Sequence, residues 1–412
     1  MISVEEARNK ILDAFSPLGL EKVNILDAVG RVLGEDVFAG RAIPPNDNSA
    51  MDGYAIFTED SHGASPENPV RLDVIEEIPA GAVPAKTIGR GEAARIMTGA
   101  PLPLGADAVV RMEDTRKDGD CVLVFAAAPK GWNIRCAGED VRQGEKVIPR
   151  GEIIRPAEVG MLASLGRSFV LVHQRPRVAI VATGNELVEI DEVPMEGKTV
   201  SSNSYALAAL VRECGGVPLQ IGIARDSRKD LIAKFRAALR ADLIVSTGGV
   251  SVGDYDLVKE IMKEAGNRMQ FWQVAMKPGR PLAFGALGDV PAIGLPGNPV
   301  SSMICFEQFI RPAILKMLGH ASLFRRTIRA RLERTIRKKK GIRQFIRALI
   351  RREGDGYAVV ATGDDGSGLL KSMVHANGLI ILPEETLEVG PGELVAVQLL
   401  DESLERMPTP GL

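Results

Sequence analysis

The sequence predicts an α/β protein of several domains, one of them a three-layer domain built around a mostly parallel sheet. Its 412 residues correspond to about three domains at roughly 150 residues each. Between residues 174 and 322, apolar strands alternate with helical segments of about 10 to 15 residues, the pattern of βαβ units. Short β-like runs before this region and an alternating basic segment after it predict two smaller β-rich parts.

The N-terminal segment is predicted to form a helix followed by a β-rich unit. Ser3 and Glu6 have the spacing of a capping box, which opens a helix running to about Phe15. Between Val70 and Ile148, Gly and Pro separate short β-like runs, which indicates a small β-rich unit.

The central domain is predicted from strands and helices that follow one another closely. The strands are RVAIVAT (177–183), VPLQIGIA (217–224), ADLIVST (241–247), MQFWQVAM (269–276), PLAFGAL (281–287) and VPAIGL (290–295). The helices are SYALAALVREC (204–214), RKDLIAKFRAALR (228–240), LVKEIMKEAG (257–266) and PVSSMICFEQFIRPAILKML (299–318).

Composition excludes several classes of protein. The net charge of −2 gives no general attraction to nucleic acid or to membranes. No apolar stretch approaches the roughly 18 residues that span a bilayer, and the N-terminus lacks the pattern of a signal peptide, so a cytoplasmic protein is expected. The four cysteines are widely spaced without a CxxC pair, which predicts free thiols in or near cores.

A basic segment follows the α/β domain. Between Arg325 and Arg352 there are thirteen Lys or Arg residues and one acid, Glu333. Alternation predicts strands with a solvated basic outer face, and a part of this patch that attracts an anionic substrate is a further interpretation. Nucleic-acid binding is disfavoured because aromatic residues are nearly absent from the segment.

Four loops are expected at one edge of the parallel sheet, because ligands of such sheets bind beyond the carboxyl ends of the strands. They are TGNEL (183–187), ARDSR (224–228), the glycine-rich stretch STGGVSVGDYD (246–256) and PGNPVSS (296–302).

Two of these loops have features of an anion site. In the last loop, Asn298 is predicted to cap a helix that begins at Pro299, and Gly297 lets backbone N–H groups approach a ligand. The glycine-rich stretch adds the hydroxyl of Ser251. Neither loop matches the phosphate loop of ATPases or the dinucleotide fingerprint of dehydrogenases.

Carboxylates accompany these glycines. Glu186, Asp226, Asp254 and Asp256 all follow strand ends. Each alone is explained as a capping or solvated acid, but acids from three loops at one edge predict a Mg²⁺ site, and the metal would remove their repulsion of a phosphate. Lys277 is expected to add positive charge nearby.

Several other polar positions are candidates. Arg280 follows Lys277 in a tight turn and is expected to bind the same anionic groups. Outside the α/β domain, the segments 44–55, 95–103 and 131–145 contain more functional side chains than linkers need, although polar surface loops are the alternative explanation.

Seven motifs occur in the order seen in the molybdopterin molybdenumtransferase family, which includes MoeA and the E domain of gephyrin. They are NSAMDGYA, RIMTGAPLP, NIRCAGED, TGNEL, STGGVSVGDYD, MKPGRPLAFG and GLPGNPVSS. On these motifs the chain resembles that family from residue 1 to about residue 400.

The resemblance implies a homodimer of four-domain subunits. The implied domains are an N-terminal or linker domain (1–43 and 141–173), a β-rich insertion (44–140), the α/β molybdopterin-binding domain (174–322) and a C-terminal β-barrel (323–412). The implied reaction inserts molybdenum from molybdate into adenylylated molybdopterin and releases AMP, with a divalent cation, expected to be Mg²⁺. The adenylyltransferase and the recipient molybdoenzymes are the protein partners that this reaction suggests.

The resemblance also assigns roles to residues of this chain. Catalytic roles fall on Asp52, Thr98, Glu186, Asp226 and Asp256, of which the last three are the expected metal ligands. Substrate binding falls on Asp140, Ser251, Lys277, Arg280, Gly297, Asn298 and Ser372. The implied site lies between subunits, where the α/β domain of one faces the Asp52 and Thr98 region of the other.

Three positions depart from the common pattern of the family, and two other functions stay open. Arg280 stands where Lys is frequent, Gln273 where several members have Lys, and Asn185 where Asp is frequent. A molybdopterin adenylyltransferase would use the same α/β fold without the additional domains. A scaffold of the gephyrin type would not need the carboxylates that this chain retains.

Overall fold

The computed structural model describes residues 1–248, 270–363, 369–402 and 404. The chain divides into two compact units, one formed by residues 1–23, 30–34 and 171–412 and the other by residues 24–29 and 35–170. The finer division into four domains stays a prediction. Within the part of the chain that is described, no helix is long and apolar enough to cross a membrane.

The unit built mainly from residues 35–170 contains the predicted β-rich region. Its main sheet has six strands in the order β7-β4-β6-β5-β9-β8. The elements up to residue 173 are α1 (Val4–Asp13), β1 (Leu20–Asn24), β2 (Val37–Phe38), β3 (Asn48–Ser49), β4 (Gly53–Ile56), β5 (Val70–Ile78), β6 (Glu92–Ile96), β7 (Ala108–Arg111), β8 (Thr115–Asp118), β9 (Cys121–Val124), β10 (Ile134–Arg135), β11 (Lys146–Ile148), α2 (Pro156–Ser164) and β12 (Phe169–His173).

Helix α1 begins as the capping pattern predicts. The Oγ atom of Ser3 accepts a hydrogen bond of 3.0 Å from the N–H of Glu6, which satisfies one of the unpaired donors at a helix start. The helix ends at Asp13, two residues before the predicted limit. Its buried face, with Ala7 and Ile11, belongs to the apolar core of the α/β region.

The α/β region has a six-stranded sheet in the order β16-β13-β17-β21-β20-β18. The first four strands pair in parallel, as predicted, and β20 pairs antiparallel with both β21 and β18. The elements are β13 (Arg177–Thr183), β14 (Leu187–Val188), β15 (Thr199–Val200), α3 (Ser202–Glu213), β16 (Val217–Ala224), α4 (Arg228–Ala238), β17 (Leu243–Thr247), β18 (Gln270–Gln273), β19 (Met276–Lys277), β20 (Pro281–Leu287), β21 (Val290–Leu295), α5 (Pro299–Cys305) and α6 (Arg311–Met317). The helix predicted over 257–266 lies outside the described residues.

The short connection between β20 and β21 explains why these two strands are antiparallel. Strands β20 and β21 are separated only by Gly288 and Asp289, and a parallel connection needs a crossover of a dozen residues or more. Gly288 takes a φ of +60°, which suits a two-residue hairpin turn.

The last helix of this region is interrupted. The sequence predicts one helix over 299–318, but α5 and α6 are joined by a π-helix at Phe306–Ile310. Pro312 lacks the N–H that would bond to the Gln308 carbonyl, and such a missing donor is a common cause of an irregular turn. That carbonyl instead accepts a hydrogen bond of 3.4 Å from Nε of Arg8 in α1.

The C-terminal region forms the closed β-barrel that the family resemblance implies. Five strands close in the order β24-β25-β22-β28-β26 and back to β24. The elements are β22 (Thr327–Leu332), β23 (Ile336–Arg337), β24 (Arg343–Glu353), β25 (Gly356–Ala361), α7 (Leu370–Val374), β26 (Gly378–Leu382), β27 (Glu388–Val389) and β28 (Leu394–Leu399).

The basic outer face of the barrel is present, but not every cation of the segment belongs to it. In β22, the exposed Arg329 and Arg331 alternate with the buried Ala330 and Leu332, so the pattern of period two places the charges outward as predicted. Arg347 in β24 is instead 4% exposed. Its guanidinium lies inside the protein, so it does not contribute to the outer face.

Candidate active site

A pocket of about 240 Å³ lies at the carboxyl ends of the parallel strands. Residues from three of the predicted loops line it, including Glu186, Thr247, Gly297 and Asn298. The sheet brings these loops together because β17 pairs in parallel with both β13 and β21. The pocket therefore combines a carboxylate with glycine turns and the N-terminus of helix α5.

The loop that carries Glu186 is fastened to the next loop by reciprocal hydrogen bonds. The N–H of Asn185 donates to Oδ2 of Asp226, and the N–H of Asp226 donates to Oδ1 of Asn185, both at 3.1 Å. Nζ of Lys198 also donates to the carbonyl of Asn185 at 2.6 Å. The predicted metal ligands Glu186 and Asp226 thus lie on two adjoining loops, and both are exposed.

A network of hydroxyl groups lies beneath the pocket. Oγ1 of Thr247 donates to the Pro296 carbonyl at 3.2 Å and lies 3.3 Å from Oγ of Ser302. Both hydroxyl residues are buried. Asn298 precedes α5 and Pro299 is its first residue, as predicted, but the side chain of Asn298 makes no capping hydrogen bond to the start of this helix. This network fixes the turn that precedes α5.

Gly248 continues the backbone from β17 in a conformation that favours glycine. Its φ is +89°, and a Cβ atom there would lie 2.5 Å from the carbonyl oxygen of Thr183. The backbone is close to the neighbouring turn as well, because a Cβ on Gly297 would lie 3.7 Å from the Cα of Gly248. The two glycine turns therefore approach closely at the floor of the pocket.

The rest of the glycine-rich stretch is not described. Ser251, Asp254 and Asp256 lie outside the described residues. Among the residues that are described, no group of three or more His, Cys, Asp or Glu side chains is placed to hold a metal ion. The two acids Glu186 and Asp226 are the hard oxygen donors that suit Mg²⁺, and the third predicted ligand is Asp256.

Lys277 and Arg280 line a second pocket, of about 550 Å³, between the α/β region and the barrel. The barrel contributes Arg337, Lys338 and Lys339 to the same pocket. Nζ of Lys338 donates to three backbone carbonyls, so this cation is engaged in holding the barrel loops, and burial lowers its pKa. Arg337 is paired with Glu388 at 3.1 Å, so Lys277, Arg280 and Lys339 give the pocket the chemistry of an anion site.

Ser372 lies on the barrel helix α7 and is buried. Its Oγ accepts a hydrogen bond of 3.0 Å from Nε of Arg347 and donates one of 2.6 Å to the Leu369 carbonyl. The hydroxyl thus holds the buried guanidinium in place, and its predicted contact with substrate stays a prediction.

In the other compact unit, the structure joins two residues that the sequence proposed from separate motifs. Oδ1 of Asp52 accepts hydrogen bonds of 2.7 Å from both the N–H and the hydroxyl of Thr98. These two donors, the backbone N–H first, hold the pKa of Asp52 below its usual range. Strands β4 and β6 bring the two residues together by pairing Gly53 with Ile96.

Asp140 belongs to the same group of polar loops within that unit. It is exposed, and its N–H donates to the Ile43 carbonyl at 3.1 Å. Asp47 connects the loops further, because its Oδ1 accepts a 2.7 Å hydrogen bond from the N–H of Ala137. Strand β3 pairs with β10 beside them. The three candidate segments of this unit therefore form one surface.

Two participants were missed at the level of sequence. Asn203, near the start of α3, lines the pocket of Glu186, and the polar start of a helix gave no signal beyond capping. Arg347 falls in an alternating basic strand, where it was grouped with the solvated cations. The clearest sequence signal for the cationic pocket was the run 337–340, since four consecutive cations are unusual in a strand that only forms a solvated face.

Three family models match the chain. They are described as the MoeA N-terminal region (domain I and II), over residues 2–166, a probable molybdopterin binding domain, over 179–316, and the MoeA C-terminal region (domain IV), over 329–400.

Curated relatives and solved structures agree with these matches. Molybdopterin molybdenumtransferase 2 of Mycobacterium tuberculosis (strain ATCC 25618 / H37Rv) is 39% identical over 407 residues, which is 96% of this chain and 99% of the relative. Molybdopterin molybdenumtransferase of Staphylococcus aureus (strain COL) is 35% identical over 404 residues, 97% of this chain and 96% of the relative. The crystal structure of the molybdopterin biosynthesis moeA protein from Pyrococcus horikoshii OT3 matches with a TM-score of 0.82 and 34% identity, covering 97% of this chain and 100% of that one.

Proposed function

The chain belongs to the molybdopterin molybdenumtransferase family and is a transferase of molybdenum cofactor biosynthesis that inserts molybdenum into molybdopterin, and we propose that its substrates are adenylylated molybdopterin and molybdate and that AMP is released. The observation that carries this proposal is the 240 Å³ pocket, where Glu186 lies beside two glycine turns and a helix start. Such a pocket suits a phosphoanhydride that is bound with a cation.

The chain's own groups would act on the phosphates by position and charge. Backbone N–H groups near Gly297 and Asn298 would donate to phosphate oxygens, and the positive end of the α5 dipole favours anions there. Cleavage of a phosphoanhydride depends mainly on alignment and on neutralised charge. The buried network of Thr247 and Ser302 supports this alignment by fixing both turns.

Mg²⁺ is part of the proposal. Glu186 and Asp226, with Asp256 from the glycine-rich stretch, would hold the ion, because hard carboxylate oxygens are its preferred protein ligands. When bound, the ion supplies positive charge that offsets the repulsion between these acids and the phosphates.

Molybdate is the proposed ligand of the cationic pocket. Lys277 and Arg280 line it together with Lys339, and a tetrahedral dianion requires donors of this kind. This assignment gives the basic segment of the barrel a role as an anion attractor, the interpretation that the sequence left open. Ser251 and Ser372 stay proposed contacts of the oxyanion or phosphate.

A homodimer completes the proposal. The polar surface with Asp52, Thr98 and Asp140 would face the α/β pocket of a second subunit. We propose that the reaction takes place in the cytoplasm and involves neither nucleic acid nor a membrane. The adenylyltransferase that supplies the substrate and the molybdoenzymes that receive the product are the proposed protein partners.

The decisive experiment supplies the purified protein with adenylylated molybdopterin and Mg²⁺, with and without molybdate. Molybdate-dependent AMP release, together with activation of an apo-molybdoenzyme, is expected. AMP release that requires ATP and free molybdopterin would instead identify an adenylyltransferase, and no turnover under either condition would favour a scaffold.

A pair of matched variants connects the reaction to the pocket. Glu186→Gln keeps the size of the side chain and removes its charge, so we expect a loss of AMP release of about 100-fold or more. Glu192→Gln changes an exposed acid further along the chain and should leave the rate unchanged. Equal rates in the two variants would remove Glu186 from the mechanism.

A further inference from the structure

The side chain of Asn203 connects two loops of the candidate active site. Its Nδ2 donates a hydrogen bond of 2.9 Å to Oγ1 of Thr247 and one of 2.7 Å to the carbonyl of Gly297. Thr247 ends strand β17, and Gly297 lies in the turn after strand β21. A single amide group from helix α3 therefore joins the two glycine turns.

The acceptors of this amide are themselves fixed. Besides accepting from Asn203, Oγ1 of Thr247 donates to the carbonyl of Pro296, in the turn of Gly297. The carbonyl of Thr247 accepts a hydrogen bond of 3.4 Å from Oγ1 of Thr183. Asn203 thus completes a network that extends over the ends of β13, β17 and β21.

The two hydrogen bonds that Nδ2 donates determine the orientation of the Asn203 amide. Oδ1 of Asn203 is buried and has no hydrogen-bond partner among the described residues, which is unfavourable for a polar atom. Turning the amide over would place Oδ1 where Nδ2 now lies, 2.7 Å from the carbonyl oxygen of Gly297. The two donor bonds to the loops therefore outweigh the unpaired acceptor.

We propose that Asn203 is a positioning residue for the transfer reaction, which holds Gly248 and Gly297 at a fixed separation. This inference rests on the proposed function. The N–H groups of the two turns bind phosphate oxygens productively only when both turns keep their places. The Asn203 amide supplies that constraint from outside the loops, on a regular helix.

Asn203→Ala removes both donor bonds, and Asn377→Ala is a matched control. Asn377 also bridges backbone groups through its amide, since it accepts from the N–H of Ile350 and donates to the carbonyl of Ile350. We expect kcat/KM for molybdate-dependent AMP release to fall about 10- to 100-fold in Asn203→Ala, because small displacements of binding groups have effects of this size. The loss should lie mainly in KM, because the turns bind the substrate before and during transfer.

Asn203→Asp gives a readout that a purely structural role would not change. The variant keeps the shape of the side chain but directs a carboxylate at the Gly297 carbonyl. Protonation of that carboxyl restores one donor, so the activity of the variant relative to wild type should rise as the pH falls from about 8 to about 6.

Different results would contradict the role of Asn203 and the proposed function of the protein. A KM in Asn203→Ala equal to that in Asn377→Ala, or a wild-type pH profile in Asn203→Asp, would overturn the role of Asn203. If Asn203→Ala does not fold, the isosteric Asn203→Asp decides the question by its pH profile. Failure of the wild-type protein to release AMP with molybdate would overturn the proposed function itself.

Discussion

The buried carboxylate of Glu307 should contribute strongly to the stability of the unit that holds the α/β region and the barrel. Its side chain is 4% exposed and forms a double hydrogen bond with Arg325, at 2.9 Å from both Nε and Nη2. Arg325 lies in the segment that leads into the barrel and also contacts Glu213, whose side chain is 56% exposed. The substitution Glu307→Ala leaves this guanidinium without its buried partner.

The magnitude follows from the environment of each contact. Removing one partner of a buried ion pair costs about 3–5 kcal/mol, and we expect about 3 kcal/mol for Glu307→Ala because Arg325 keeps its contact with Glu213. Glu307→Gln retains one acceptor and should cost about 2 kcal/mol. Glu213→Gln breaks a contact with an exposed side chain and should cost at most about 1 kcal/mol.

Thermal unfolding measured by circular dichroism tests this order. With about 2–4 °C per kcal/mol for domains of roughly 150–250 residues, Glu307→Ala should lower the midpoint by about 6–12 °C. Glu213→Gln is the control, since it removes the other carboxylate from the same guanidinium. A midpoint in Glu307→Ala that equals or exceeds that of Glu213→Gln would refute the reasoning.

Three further predictions follow from local geometry. In Thr98→Val, Asp52 loses its hydroxyl donor and keeps the backbone N–H, so its pKa should rise; carbon-13 NMR titration of the carboxyl checks this, and an unchanged value would contradict it. Burial lowers the pKa of His320, so folding favours its neutral form and stability is lost as the pH falls below about 6.5. In His320→Gln, the decrease in thermal midpoint between about pH 7 and about pH 5 should therefore be smaller than in the wild type. An identical decrease in both proteins would exclude His320 as a cause of the acid destabilisation. Gly248→Ala places a methyl group 2.5 Å from a backbone oxygen at a φ of +89° and should destabilise by about 1–3 kcal/mol, whereas Gly288→Ala, with no atom within 4 Å, should cost less.

Much of the candidate site was predictable because it follows from periodicity. Apolar strands separated by helices place every loop that follows a parallel strand at one edge of the sheet. Glu186 and Gly297 meet in one pocket for that reason, although 110 positions separate them in the sequence. Glycine and proline in these loops indicated the turns, and Asn298 indicated the helix start.

What the sequence did not predict depends on tertiary contacts. The pattern of β24 has period two, but whether Arg347 faces solvent depends on how the barrel closes against α7. The interruption at Phe306–Ile310 needs a proline and also an alternative partner for the freed carbonyl, and that partner, Arg8, is 300 residues away. Asn203 forms its bonds across loops that only the folded sheet brings together.

The placement of the first residues has a consequence for biosynthesis. Ile2 forms an isolated parallel β-bridge with Val274, a partner that is translated about 270 residues later. At about 5–20 residues per second, this delay lasts roughly 15–50 seconds. During that time, the apolar face of helix α1 also lacks its native partners, the π-helix and α6, and is accessible to chaperones. Helix α1 therefore has to wait for residues 306–317 before it can fold into place.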